Sequence, residues 1–342
     1  MPLIFSRRSA LAMFAQSYLS SPRRALTAAE LLDAPDEWIA RSLAWVEDML
    51  ARQPQFVFSA GKLTTAEQAL HRAALIRLDD ILHIDSAPDK TLIHDWYRKR
   101  MLATAKRIAS TTATITKLYD HGWFVQTPGS RFAIDLVGGA PRNAKFQMSE
   151  EALDLFVKSA DALFISHWHS DHADPVVARK FLAQNKPVVA PADVFRTEPD
   201  LQKRLTVPER SLTKSSTFGK LSVIAFPGHQ GKDVINNCYL FRTPEGLTIQ
   251  HTGDQSNDED FAWIDQIHKS HRVDIFLPKC WTPEPLRFCA GVKPKLILPG
   301  HENEMAHTVP HREDWTQTFT RFEGCEGLML PLCWGEEVIY KP

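Results

Sequence analysis

Six consecutive residues, His167-Trp168-His169-Ser170-Asp171-His172, carry three imidazoles and a carboxylate just beyond the apolar run Ala162-Leu163-Phe164-Ile165. Side chains of an extended segment alternate with period two, so His167 and His169 point the same way and can reach one ion. Asp171 and His172 fall one turn further on, within reach of a second. Imidazole and carboxylate suit zinc, iron or manganese, and an open position on such an ion holds a water. That is the outline of a hydrolase. A single histidine at a strand end would read as a solvated loop residue. Three histidines and an aspartate in six positions, followed by further candidates downstream, read as ligands.

The downstream candidates repeat one local arrangement: an apolar β-type run ends at a small or turn-forming residue, and a histidine or aspartate follows. Leu221-Ser222-Val223-Ile224-Ala225-Phe226 leads to Pro227-Gly228-His229, and Leu247-Thr248-Ile249-Gln250-His251 to Thr252-Gly253-Asp254. Leu296-Ile297-Leu298 leads to Pro299-Gly300-His301, and upstream Phe132-Ala133-Ile134 leads to Asp135. Glycine before a ligand lets the backbone turn sharply and approach an ion where a Cβ would obstruct it. Strand ends converging on one rim can thereby assemble a site from residues far apart in sequence.

Taken in order, these positions resemble the metallo-β-lactamase superfamily, whose motifs are an aspartate, H-x-H-x-D-H, a histidine, an aspartate and a histidine. The resemblance covers about residues 112 to 340. It implies an α/β fold, the four-layer αββα sandwich, here with an N-terminal helical extension and with a dinuclear site at one open edge. It also implies that His167, His169 and His229 hold one metal and Asp171, His172 and His301 the other, with Asp254 bridging them. Asp135 would stand behind a ligand and orient it; the plainer alternative is a turn carboxylate. The ions would be two divalent metals, zinc first, with manganese or iron as alternatives. The implied chemistry is attack by a shared hydroxide on an ester, lactone or phosphodiester, and Asp171 could orient the nucleophile or carry its proton.

Finer details suggest a branch. Leu118-Tyr119-Asp120-His121-Gly122-Trp123-Phe124-Val125-Gln126-Thr127-Pro128, followed by Ile134-Asp135, is similar to the opening hairpin of the ascorbate-6-phosphate lactonase-like and N-acyl-phosphatidylethanolamine phospholipase D-like members. There a G-H-[AS] turn precedes a strand ending in I-D-P. This chain departs with Asp120 before the histidine and Leu136 after the aspartate. By the same resemblance His121 lines the active-site mouth; a structural hairpin histidine is the alternative. Zinc β-lactamases of the commonest type place a cysteine where Asp254 stands, and Cys238, Cys280, Cys289, Cys325 and Cys333 fall on no ligand motif. With 40 basic and 41 acidic residues the chain has no basic excess to neutralise a phosphate backbone, so a small molecule or lipid is the expected substrate and nucleic acid the weaker choice. A metal-binding protein without hydrolytic activity, diiron or regulatory, is the reading from another class.

The remaining segments must position these residues. Residues 30–111 read as helical: Ile39, Leu43, Val46 and Leu50 recur at helical spacing after Pro35-Asp36-Glu37. Thr64-Thr65-Ala66-Glu67 reads as a capping box opening a second helix with Leu70, Ala74, Leu78, Ile81 and Leu82. A charged third helix spans Pro88 to Ile108. Such apolar stripes are packing surfaces first, with a lid or a contact in a homo-oligomer as the alternative. Residues 112–342 read as the hydrolase domain. Residues 1–29 hold four arginines and no acidic residue, and Ser6-Arg7-Arg8 resembles the start of a twin-arginine export signal, although the short apolar region and missing cleavage site place a cytoplasmic location slightly ahead. No apolar stretch approaches the roughly 20 residues that span a bilayer. Five cysteines without C-x-x-C spacing read as reduced core thiols. Lys279, Glu302, Glu304, His307 and His311 lie near ligand motifs and are candidate substrate contacts.

Overall fold

The computed structural model describes residues 35–52, 56–59, 61–64, 68–84, 91–108, 112–140, 146–325 and 329–341. The arginine-rich leader lies outside them, as do Thr65, Ala66 and Glu67 of the capping box. Helix α1 (Pro35–Ala51) begins with proline and carries Asp36 and Glu37 in its first turn, where carboxylates oppose the helix dipole. Strands β1 (Phe56–Ser59) and β2 (Lys62–Thr64) follow, then α2 (Gln68–Leu82) and α3 (Thr91–Lys106). The next strands are β3 (Thr114–Lys117), β4 (Trp123–Gln126), β5 (Arg131–Ile134), the short pair β6 (Gly139–Ala140) and β7 (Phe146–Gln147), and β8 (Ala162–Phe164), which follows α4 (Glu150–Ser159). Helix α5 (Pro175–Ala183) leads to β9 (Val188–Val189) and the single turn α6 (Pro199–Gln202).

The second half of the chain supplies β10 (Ser216–Phe218), β11 (Leu221–Gln230), β12 (Val234–Arg242) and β13 (Thr248–His251). After α7 (Phe261–Ile264) and α8 (Ile267–Ser270) come β14 (Ile275–Leu277), α9 (Pro285–Val292), β15 (Leu296–Ile297), α10 (Trp315–Arg321) and β16 (Glu337–Lys341). One sheet has the order β2-β1-β16-β3-β4-β5-β8-β9, the other β10-β11-β12-β13-β14-β15.

Alternation along the strands sorts side chains into layers. Trp123, Val125, Phe132 and Ile134 meet Val223, Ala225, Tyr239, Phe241 and Ile249 between the two sheets. Phe124, Ala133 and Leu163 face the opposite way and pack under α1 to α5. On the second sheet Ile224, Phe226 and Leu240 turn outward to Phe261, Ile264 and Phe288 of the covering helices. The result is the αββα sandwich, helices outside and two sheets within.

The N-terminal segment is built into this sandwich. Leu43, Val46, Leu78, Ile81, Tyr97 and Met101 share the core cluster of the first helical layer. The segment also contains two strands, and β1 pairs in parallel with β16, Phe56 beside Val338. Helicity alone did not reveal these, because each strand is too short to show a period. From α2, Asp79 accepts from the backbone N–H groups of Trp315 (3.0 Å) and Thr316 (3.1 Å) and from Asn303 Nδ2 (2.8 Å). One carboxylate thus joins the extension to the start of α10 and to the loop just past His301.

Candidate metal centre

Several strand ends and turns bring the polar residues of one cluster together. The β3–β4 hairpin carries Asp120 and His121, the end of β5 carries Asp135, and the turn after β8 carries residues 167–172. That turn closes on itself, with the N–H groups of His172 and Ala173 donating to the His169 carbonyl at 3.0 and 2.7 Å. Asp254 follows β13 and His301 follows β15. His229 sits inside β11, which runs on to Gln230, rather than beyond its end. Gly253 adopts φ +51°, and a Cβ there would lie 2.2 Å from Asn236 Oδ1. At Gly300 a Cβ would lie 2.4 Å from the His121 ring. Both glycines are required by close approach.

Three residues of the cluster, Asp120 (φ 55°), Asp135 (φ 44°) and His301 (φ 75°), take left-handed backbone that side chains ordinarily avoid. The fold holds them there through specific bonds: the His301 N–H donates to the Asp120 carbonyl at 3.0 Å, and the Asp135 N–H to the Phe164 carbonyl at 2.8 Å.

The donor atoms converge in three overlapping groups, each with its atoms within 4.8 Å of one another: His167, His169 and Asp254; His121, His172 and Asp254; and Asp120, Asp171, His172 and His301. Asp171 Oδ2 lies 3.0 Å from His172 Nε2 and 3.4 Å from His301 Nε2, and Asp254 Oδ1 lies 3.2 Å from His172 Nε2. Among the described residues, His167 Nε2, His172 Nε2, His301 Nε2 and Asp254 Oδ1 are buried without a hydrogen-bond partner. Each such orphan costs about 1–3 kcal/mol. So many, of donor types that bind divalent cations and all aimed at one place, fit a metal centre.

Behind the converging atoms, a partner orients the ring. His172 Nδ1–H donates to Asp135 Oδ2 at 2.7 Å, and His229 Nδ1 faces both oxygens of Asp260 at 3.1 and 3.2 Å. Ser166 donates to Asp135 through both its N–H (2.7 Å) and its hydroxyl (2.6 Å), and the same hydroxyl lies 3.0 Å from His167 Nδ1. This arrangement presents Nε2 to the cluster and fixes the imidazole tautomer. His251, which no motif singled out, accepts from the Gly253 N–H and donates through Nε2 to the His121 carbonyl (3.2 Å); burial holds it down to about pKa 4, so it is neutral.

Charge in the cluster is balanced locally. Burial opposes the charge of Asp254, but Lys279, His301 and His172 outweigh it and hold its carboxyl well below the usual range. Lys279 Nζ donates to Asp254 Oδ2 at 2.7 Å and Gln230 Nε2 to the same oxygen at 2.9 Å, leaving Oδ1 turned to His172. Burial, countered only in part by His301, pushes the Asp120 carboxyl up to about 8. Burial and neighbouring His172 lower His167 well below the ordinary imidazole value.

The sequence expectations are met unevenly in space. His167, His169, Asp171, His172, Asp254 and His301 come together, and Asp135 lies directly behind His172. His229 stands outside the three groups, with its side chain 30% exposed. His121 is fully enclosed, with a donor atom in one of the three groups and its ring 4.2 Å from that of His251, rather than at a solvent-facing mouth. Lys279 is wholly buried on Asp254 and so is not free for a substrate anion. Glu302 is spent on Lys117 (3.2 Å) and Glu304 on His307 (2.9 Å). Sequence reasoning missed Asp260, 31 residues from the histidine it supports, and treated Asp120 only as a departure from a pattern. Trp168 and Trp281, each 36% exposed, flank the cluster, with Trp168 4.4 Å from the His169 ring and Trp281 6.3 Å from that of His301. The cysteines are free thiols, four of them buried.

Residues 114–301, more than half of the chain, match the family described as Beta-lactamase superfamily domain. The fold is similar to that of a metallo hydrolase from the hyperthermophilic archaeon Ignicoccus hospitalis, at 18% identity and a TM-score of 0.51 over 68% of this chain and 100% of that one. It is also similar to a protein from Veillonella parvula described as a possible metal-dependent hydrolase, at 14% identity and a TM-score of 0.53 over 67% of this chain and 99% of that one. No curated protein matches the sequence significantly. With the family's motifs in order, its sandwich in place and a cluster of candidate metal ligands at the expected edge, the chain belongs to the metallo-β-lactamase superfamily and has the fold of its metallo-hydrolases.

Proposed function

We propose that this protein is a metal-dependent hydrolase that cleaves an ester, lactone or phosphodiester bond of a small molecule or lipid. The observation that carries the reading is the convergence of buried, unpartnered Nε2 and carboxylate atoms at one sheet edge. His167, His169 and His229 would hold one divalent ion, and Asp171, His172 and His301 the other, with Asp254 between them; zinc is the expected metal, manganese or iron the alternatives. When bound, two such ions supply a water of lowered pKa and positive charge where an oxyanion develops.

The chain's own residues do the rest. Asp135 and Asp260 fix the rings of His172 and His229 from behind, so that neither has to reorganise during turnover. Lys279 and Gln230 hold one oxygen of Asp254 and thereby aim the other. Asp171, the carboxylate of the cluster with some solvent contact at 15% side-chain exposure, would orient the attacking water and take its proton. Trp168 and Trp281 offer apolar surface beside the centre for the body of a substrate. Among the described residues no helix is long and apolar enough to cross a membrane.

The test is elemental analysis of purified protein beside turnover on a lactone, a thioester and bis-p-nitrophenyl phosphate. Close to two ions per chain and turnover on one of these, abolished in His169→Ala with its circular dichroism unchanged, is the expected result. Two ions without turnover on any would favour a non-hydrolytic metal protein, and no more than one ion in fully loaded protein would overturn the dinuclear assignment.

A further inference from the structure

Asp120 is a carboxylate without an evident occupation. It is fully buried, and neither oxygen has a hydrogen-bond partner among the described residues. The ion pairs that balance other enclosed carboxylates, Lys117 on Glu302 and Lys279 on Asp254, have no counterpart at Asp120. Its oxygens look instead toward imidazoles: Oδ1 is 3.4 Å from His301 Nδ1, and Oδ2 is 4.0 Å from His172 Nε2. Those rings must be neutral to bind an ion, so in the metal-loaded centre this enclosed carboxylate is left without a counterion, which is costly unless the ion itself reaches it.

One assignment would make Asp120 a prop for His301, as Asp135 is for His172. The distances separate the two cases. Asp135 makes a 2.7 Å hydrogen bond to His172 Nδ1, whereas the Asp120 contact with His301 makes none and leaves Nδ1 of His301 unpartnered. Asp120 also contributes a donor atom within 4.8 Å of those of Asp171, His172 and His301, which are themselves spaced as atoms sharing an ion are. Its position is enforced, since the left-handed turn that aims the side chain also places its carbonyl on the His301 N–H.

Resting on the two-ion reading above, we infer that Asp120 is an additional ligand of the ion held by Asp171, His172 and His301. That half of the centre then offers three carboxylates, Asp120, Asp171 and Asp254, beside two imidazoles. The other half offers His167, His169 and His229 beside Asp254 alone. Carboxylate oxygen suits harder ions such as manganese, and imidazole suits zinc. The two halves therefore differ in metal preference, and Asp120 widens the difference.

The experiment strips the full-length protein with a chelator and titrates it separately with manganese and zinc. Ions are counted by elemental analysis after dialysis, and manganese is followed by electron paramagnetic resonance. Asp120→Asn tolerates the left-handed backbone and removes the charge; Asp120→Gly, for which that backbone carries no strain, repeats the measurement should the first variant fold poorly. The expected result is two ions in the unaltered protein and, in the variants, a loss of at least about tenfold in manganese affinity at one site with a smaller loss for zinc. Unchanged manganese binding overturns the inference and leaves the two-ion reading intact. A zinc loss as large as the manganese loss also overturns it, by placing Asp120 behind His301 rather than on the ion. Fewer than two ions in the unaltered protein overturns both.

Discussion

The ring of His172 is held from behind by Asp135, with Nδ1 and Oδ2 2.7 Å apart and both side chains fully enclosed. Asp135 in turn accepts two bonds from Ser166, the residue before His167, so one carboxylate fixes both ends of the H-x-H-x-D-H segment. Asp135→Asn keeps the size of the side chain but turns an amide donor toward one of these donors. A loss of about 10- to 100-fold in metal affinity or turnover is expected. Equilibrium dialysis with zinc checks it, and an unchanged affinity would leave Asp135 a turn carboxylate.

Metal binding and pH are linked through His172 and His301. Burial works against their charge, but Asp171, Asp254 and Asp135 around His172, and Asp120, Asp254 and Asp171 around His301, outweigh it and raise both well above the ordinary imidazole value of about 6.5. Each imidazole thus holds a proton in the folded metal-free protein that the unfolded chain releases. That contribution to stability is full below about pH 6.5 and is lost as pH rises toward the raised folded values. Divalent ions need the neutral rings, so binding releases protons and strengthens with pH. Thermal denaturation at about pH 5.5, 7 and 8.5 should show the metal-free Tm falling and the gain from added zinc growing. A gain that shrinks with pH would contradict the linkage.

Asp79 tests whether the N-terminal extension supports the site. Its carboxylate accepts from Trp315, Thr316 and Asn303, joining α2 to the loop two residues past His301. Asp79→Ala leaves two helix-start N–H groups and an amide without their acceptor. A destabilisation of about 1–3 kcal/mol is expected in urea. A variant as stable as the unaltered protein would show that the extension leans on the core through apolar contacts alone.

How much of this was legible in the residues depends on the range of the interaction. The H-x-H-x-D-H run, the aspartate after β5 and the glycine-preceded ligands after β13 and β15 are local signals, because a strand end, a turn and a donor sit within a few positions. They placed His167, His169, Asp171, His172, Asp254 and His301 at one rim. His229 was read in the same way, yet its strand continues through it, since pairing with β12 extends to Gln230.

The sequence by itself determined the candidate donors, because ligand spacing is written along the chain, and the order of those motifs carried the resemblance to the superfamily, which in turn implied the layered α/β architecture. Only the tertiary structure decided which group each donor meets. Lys279 is bound to Asp254, 25 residues away, and Asp260 supports His229 across 31. Asp120 reaches the cluster only because a hairpin tip packs against the loop of His301. Hydrogen bonds and ion pairs act through space at about 3 Å, and chain separation carries no trace of them until the sheets close.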